Sequence, residues 1–248
     1  MLADKSLFAY CCIVLLAILT SCAESQPKSP EEELIAYISG TGGEWIAPIG
    51  AIQFDQNGSF EAEKLRKLTP AALDKIRAIS VSRLGIKVAP DLSFLPSLRR
   101  LSLSLNNIMD IKAISALSLE RIDLSYNPLA DINPLSTCKQ LESIGLAGTL
   151  VASLPDFSEL TKLKQLALAG TPLQSLANLE RIRSDFDLNL LGCNKLSNID
   201  ALRTARVNTL TIDENNYERL KPWFDAHVVQ IKANRPKFKI QLQLLSGE

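Results

Sequence analysis

Histidine is nearly absent: His227 is the only one in 248 residues. Mechanisms that need a histidine general base or a histidine-rich metal site have almost no material to work with. Net charge is lacking too. Lys plus Arg and Asp plus Glu each number 27. No basic excess therefore points to nucleic acid, and long-range steering of a charged partner is weak. Five cysteines are present, in no spacing that suggests zinc. No glycine-rich phosphate loop occurs. Acidic residues are scattered, with no pair placed as acid and base. No Ser or Cys motif points at His227, which reads as a structural or surface residue. The expectation is a chain without catalytic residues, metal or cofactor, and not an enzyme. At 46% apolar and 22% charged residues, the composition is that of an ordinary folded protein.

What the chain has in abundance is periodicity. The pattern L-x-x-L-x-L-x-x-N-x-L fits at Leu98, Leu101, Leu103, Asn106 and Ile108, and again at Leu119, Ile122, Leu124, Asn127 and Leu129. Further copies begin at Ile76, Leu141, Leu163, Phe186 and Val207, at steps of 21 to 23 residues. Three more apolar positions follow in each copy at intervals of three. Copy two supplies Ile111, Ile114 and Leu117; copy seven, after Tyr217, supplies Leu220, Trp223 and Ala226. Asn189 is the one exception among the apolar positions of the seven copies.

The L-x-L segment has period two and reads as a strand with one buried face. The tail has period three, which fits a 3₁₀ turn or an extended polyproline-like stretch rather than an α-helix. Each copy is then one coil, and stacking buries a core that no copy could bury alone. The recurring polar residue sits where the chain turns inward, and can pair with backbone groups left open there. Asn106, Asn127, Thr149, Thr171, Asn194 and Asn215 form this expected ladder, and Leu84 abandons it in the first copy. Strict phase points Asn189 inward and Leu188 and Leu190 outward. A bulge before Asn194 would return both leucines to the core; without it they form an exposed contact patch. Cys138 falls on a core position. Cys193 lies just before the ladder on a different side, so a disulfide between them is not expected.

Seven copies in phase, from Ile76 to Ala226, resemble the leucine-rich-repeat family. The Asp-Ile pairs after the turn (Asp110-Ile111, Asp131-Ile132) resemble its short-repeat, internalin-like subclass. The resemblance implies an α/β-type right-handed superhelical solenoid capped at both ends. It implies a parallel sheet on the concave face and 3₁₀ or extended turns on the convex face. It also implies protein binding through the concave face. The C-terminus shows no wall-sorting motif, where the chain departs from internalins.

The first residues read as an address. Leu7 to Leu19 is apolar, with the length of a signal-peptide core, and is short of the ~20 residues of a spanning helix. Leu19-Thr20-Ser21-Cys22 resembles a bacterial lipobox, which implies cleavage before Cys22 and lipidation, palmitate included, on its thiol. Asp4 beside Lys5 departs from the usual positive start, and an ordinary leader or uncleaved anchor is the competing reading. Ala23 is not the Asp associated with inner-membrane retention, so the resemblance implies the outer membrane of a two-membrane host. On either side of that membrane, the chain is expected at the cell envelope.

The expected organisation is a signal peptide at 1–21, a lipidated tether at 22–29, a cap at 30–75, seven repeats at 76–227 and a second cap at 228–248. Ser29-Pro30-Glu31-Glu32 opens a helix expected to stop near Gly40. Asn57-Gly58 marks a hairpin within Ile52 to Phe60, and Thr69-Pro70 opens a short helix. Phe238, Ile240, Leu242 and Leu244 alternate as a half-buried strand. The N-terminal part is also open to reading as a module with its own function.

The residues free to meet a partner are those between the buried strand positions. The candidates are Arg83, Arg100, Arg121, Asp123, Tyr126, Asp213 and Glu214, flanking a middle of Gly145, Ala147, Gly148, Ala167, Ala169 and Gly170. Arg and Tyr are prominent in binding hot spots; the competing reading is of merely solvated strand positions. Two functions stay open: an envelope-anchored scaffold that grips another protein, and a structural or assembly lipoprotein with no dedicated ligand. Neither involves nucleic acid.

Overall fold

The computed structural model describes residues 70–243, preceded by three short strands. The leader, the lipobox around Cys22, the tether and the predicted first helix lie outside the described residues. Nine strands form one parallel sheet in the order β1 (Glu44–Ile46), β4 (Ala78–Ser80), β5 (Arg100–Ser102), β6 (Arg121–Asp123), β7 (Ser143–Gly145), β8 (Gln165–Ala167), β9 (Phe186–Asn189), β10 (Val207–Asp213) and β11 (Lys239–Gln243). The separate strands β2 (Gln53–Phe54) and β3 (Phe60–Glu61) pair antiparallel on either side of Asn57-Gly58. Strand β1, in register with β4 through Trp45 and Ile79, has no counterpart in the repeat pattern.

The central residues of neighbouring strands align as Ile79, Leu101, Ile122, Ile144, Leu166 and Leu188, all buried. Leu103, Leu124, Leu146 and Leu168 follow two residues on, and each is fully buried. Between sheet strands the chain returns through 3₁₀ turns at Lys112–Ala116, Asn133–Thr137, Leu179–Arg181 and Asp200–Arg203. The Asp of each Asp-Ile pair has a local task. The carboxylates of Asp110 and Asp131 accept the N–H groups of Lys112 and Asn133, both at 2.9 Å, and so start the turn. Cys138 and Cys193 are free, buried thiols, and burial pushes both above the usual thiol range.

Inside each coil a polar side chain closes the turn off the strand. Asn106 Nδ2 donates to the carbonyls of Val81 at 2.7 Å and Leu103 at 2.9 Å, and its Oδ1 accepts from Leu84 N–H at 2.9 Å. Asn127 Nδ2 donates to Leu103 and Leu124, and its Oδ1 accepts from Ile108. Thr149 and Thr171 donate to Leu146 and Leu168, each at 2.7 Å. Two ladder expectations need correction. Asn194 and Asn215 are exposed; the buried neighbours Cys193 and Asn216 take the interior places. The Cys193 thiol donates to Leu168 O at 3.1 Å.

The displacement begins in copy six. Leu188 and Leu190 are each 1% exposed, whereas strict phase would have buried Asn189. Burying two leucines outweighs burying one amide. Phe186 and Leu188 are consequently two residues apart, where Val207 and Leu210 opposite them are three apart. The mismatch is absorbed by a register shift in β10 between Val207 and Leu210, so the irregularity lies there and not before Asn194.

Copy seven departs further. Its expected period-three tail is an α-helix, Glu214–Asn234, that crosses the expected repeat boundary at 227. Its buried residues are Asn216, Leu220, Phe224 and Ile231, a helical face, while Ala226 is exposed. His227 Nδ1 donates to Trp223 O at 2.8 Å, and the ring stacks on that of Trp223. The chain then adds β11 in parallel beside β10.

Candidate functional site on the outer face of the sheet

Side chains that alternate with the buried positions stand on the outer face of the sheet in two rows. One row runs Arg100, Arg121, Ser143, Gln165 and Asp187; the other runs Ser102, Asp123, Gly145, Ala167 and Asn189. Arg100 and Arg121 are direct cross-strand neighbours and both are exposed. Neighbouring strands lie ~4.8 Å apart, and like charges so placed repel. Among the described residues, neither guanidinium has a carboxylate at ion-pair distance. A shallow depression of about 310 Å³ lies here, lined among others by Ser80, Arg100, Ser102, Arg121, Asp123 and Gly145.

Small residues in the next coils let two candidate side chains lean over. A Cβ on Gly145 would lie 2.7 Å from Asp123 Oδ1, and one on Gly148 would lie 2.7 Å from Tyr126 Cδ1. Asp123 is held there by accepting the Ser125 N–H at 3.0 Å. Tyr126 thus lies across the Gly148 backbone while 60% exposed.

A feature absent from the sequence reading is a column of left-handed residues at the turn off each strand. Its members are Arg83, Leu105, Tyr126, Gly148, Gly170 and Gly192, with φ between 57° and 69° in copies one to six. The turn demands this conformation because each N–H must reach the next coil: Leu105 to Ser125 O at 2.9 Å, Tyr126 to Ala147 O at 2.7 Å, Gly148 to Ala169 O at 2.7 Å. Glycine takes this conformation freely, whereas a side chain costs ~1 kcal/mol or more. Copies four to six use glycine; copies one to three carry Arg, Leu and Tyr. The glycines Gly148, Gly170 and Gly192, 22 residues apart, were the signal that could have revealed the column.

Leu105 is 40% exposed, so its side chain gives only part of a full leucine burial in return for the strain. Leu105→Gly is therefore expected to leave the melting temperature unchanged or raise it by a few degrees. Relief of ~1 kcal/mol of left-handed strain offsets the added chain freedom. A clear drop in a thermal melt would mean that Leu105 is held for packing.

The candidates at the far end of the face do not join this group. Asp213 is 1% exposed and cannot meet a partner. Its Oδ2 accepts the Gly192 N–H at 2.8 Å and the Asn216 Nδ2 at 2.7 Å, and its Oδ1 accepts the Asn216 N–H at 2.9 Å. Gly192 therefore ends the left-handed column on a carboxylate instead of a carbonyl, and that carboxylate also caps the C-terminal helix. Glu214 is exposed in the first turn of that helix. Arg83, Arg100, Arg121, Asp123 and Tyr126 remain together on the coils of copies one to three. Among the described residues, no group of three His, Cys, Asp or Glu side chains could hold a metal ion.

No family model matches the sequence, and no curated protein matches it. Solved structures do match. Internalin C2 of Listeria monocytogenes is 18% identical, with a TM-score of 0.55 over 72% of this chain and 78% of that one. The functional domain of InlJ from the same organism, described as including a cysteine ladder, is 20% identical with a TM-score of 0.49 over 72% and 36%. Internalin InlF of L. monocytogenes is 17% identical with a TM-score of 0.45 over 71% and 59%. At these identities the likeness is one of fold, and of these three only internalin C2 has a TM-score above 0.5. Together with the parallel sheet and its stacked coils, it makes this chain a leucine-rich-repeat solenoid in fold, similar to the internalins.

Proposed function

We propose that this chain is a non-enzymatic protein-binding scaffold. It is held at a bacterial cell envelope by a lipid on Cys22, in the outer membrane where the host has two. It grips its partner with the outer face of the sheet in copies one to three. We take that face to be the concave side of a right-handed superhelix whose ends are capped.

One observation carries the reading. Arg83, Leu105 and Tyr126 hold a left-handed backbone that glycine serves in the next three coils, yet all three are exposed, on the coils of copies one to three that also carry Arg100 and Arg121. Conformational strain kept at exposed side chains points to a use for those side chains. Tyr and Arg are the types that anchor protein interfaces, and the Arg100–Arg121 pair, with no carboxylate at ion-pair distance among the described residues, favours a partner surface carrying carboxylates.

The test is capture of the partner by crosslinking mass spectrometry on intact host cells. Arg100→Glu combined with Tyr126→Ala is expected to abolish capture without lowering the melting temperature, since neither side chain is buried. Undiminished capture by the folded double variant would remove this face from consideration.

A further inference from the structure

At the opposite end of the molecule, a cleft of about 510 Å³ lies between the last coil and the end of the C-terminal helix, Glu214–Asn234. Its lining carries three cations, Arg206, Arg235 and Lys237, with Thr204, Asn208 and a single acid, Asp185. Asp185 is engaged, its Oδ1 accepting Arg206 Nε at 2.7 Å. That leaves the cleft with an excess of two positive charges among these side chains.

Arg235 is the unusual member. Its Nη2 donates to the carbonyls of Arg203 at 2.9 Å and Leu202 at 3.3 Å, which tie the helix end to the last 3₁₀ turn. Its Nη1 is buried and has no hydrogen-bond partner, the only such side-chain nitrogen or oxygen among the described residues. Buried donors are nearly always satisfied in folded proteins, so the unmet Nη1 gives the guanidinium reason to turn toward an acceptor in the cleft that Arg235 lines. Burial first, and then the neighbouring Arg206, push the Arg235 guanidinium below its usual range. An anion nearby would relieve both the repulsion and the unmet donor.

We propose that this cleft binds a small molecule bearing a phosphate or carboxylate group, with Arg235 and Arg206 facing the oxyanion and Lys237 closing over it. A guanidinium presents donors in a fork that matches either group. The cleft lies within the volume range of small-ligand sites and exceeds what a bare oxyanion fills. The site is independent of the outer-face reading, and either can fail alone.

The test is titration of the purified chain with inorganic phosphate and, separately, citrate, against sodium chloride at matched ionic strength. The readouts are calorimetry and the NMR shift of the Arg235 side-chain Nε–H. Arg206→Gln with Lys237→Gln is the companion variant; both side chains lie at the surface, and exposed ion pairs contribute little to stability. Saturable binding of one probe at millimolar concentration or tighter is expected, with a shift of the Arg235 signal and a loss of at least tenfold in affinity in the variant. Phosphate alone binding identifies a phosphate-bearing ligand, and citrate alone a carboxylate-bearing one. Binding no different from chloride, or equal in the variant, would overturn the proposal.

Discussion

Replacing Asp213 with alanine is expected to lower the stability of the chain by about 2–4 kcal/mol, read as the urea midpoint times its slope. The carboxylate is almost wholly enclosed and serves two structures at once. It accepts the Gly192 N–H from the last left-handed turn and two donors of Asn216 from the first turn of the C-terminal helix. Losing a helix cap alone costs ~1 kcal/mol. Leaving a buried amide without an acceptor adds ~1–3 kcal/mol. A loss below 1 kcal/mol would show that the helix is seated by its apolar face alone.

The same group makes the junction acid-sensitive. Burial acts to raise the Asp213 carboxyl, but hydrogen bonds from Asn216 and Gly192 together outweigh it and hold the group below the usual carboxylate range. Its contribution is therefore fully present above the ordinary aspartate value of ~3.9 and is lost as pH falls through the depressed folded value. Urea midpoints measured downward from pH 5 should fall more steeply for the native chain than for Asp213→Asn. Parallel curves would contradict this assignment.

The second large effect is expected at Asn127. Alanine there removes the donor to Leu124 O and the acceptor for Ile108 N–H, both buried. The other carbonyls it serves, Leu103 O and Ser125 O, keep bonds from Asn106 and from the Leu105 N–H. Two orphaned backbone groups inside the coil should cost about 3 kcal/mol. Thr149→Val deletes one hydroxyl donor at the equivalent place and fills the same space, so its cost should be ~1 kcal/mol. Equal losses in denaturant melts would mean that the ladder acts by packing and not by hydrogen bonding.

Copies two to five were legible in the sequence because their apolar residues answer to one constraint, burial at a fixed step. Ile122, Ile144 and Leu166 stand where the pattern places them. Copies six and seven were misjudged where that step was broken. The start at Phe186 set the phase of copy six one residue late, which promoted Asn194 over Cys193. In copy seven, Tyr217 and Leu220 fit a period of three and one of 3.6 alike, and the two part only at Trp223 and Phe224, where both residues are aromatic. The interior Pro222 further disguised a helix whose start, Asp213 followed by Glu214, carries the usual capping chemistry.

The outer face was legible only in part. Arg83, Arg100, Arg121, Asp123 and Tyr126 could be named from alternation, because side chains between buried strand positions must point out. The left-handed backbone of Arg83 and Tyr126 leaves no mark in their own residue types; only the spacing of Gly148, Gly170 and Gly192 in the later copies hints at it. Asp213 was misplaced for a related reason: alternation assigns it to a face, and only the geometry at the end of the column turns it inward.

A photoreactive side chain at position 102, in the middle of the Arg100–Arg121 surface, tests the account most directly when compared with one at position 133 on a 3₁₀ turn. Both sites accept substitution without entering the core. Irradiation of intact host cells should yield a partner adduct from position 102 and none from position 133. Adducts from position 133 alone, or equally from both, would contradict the claim that the strained, arginine-bearing face of the sheet is where this solenoid works.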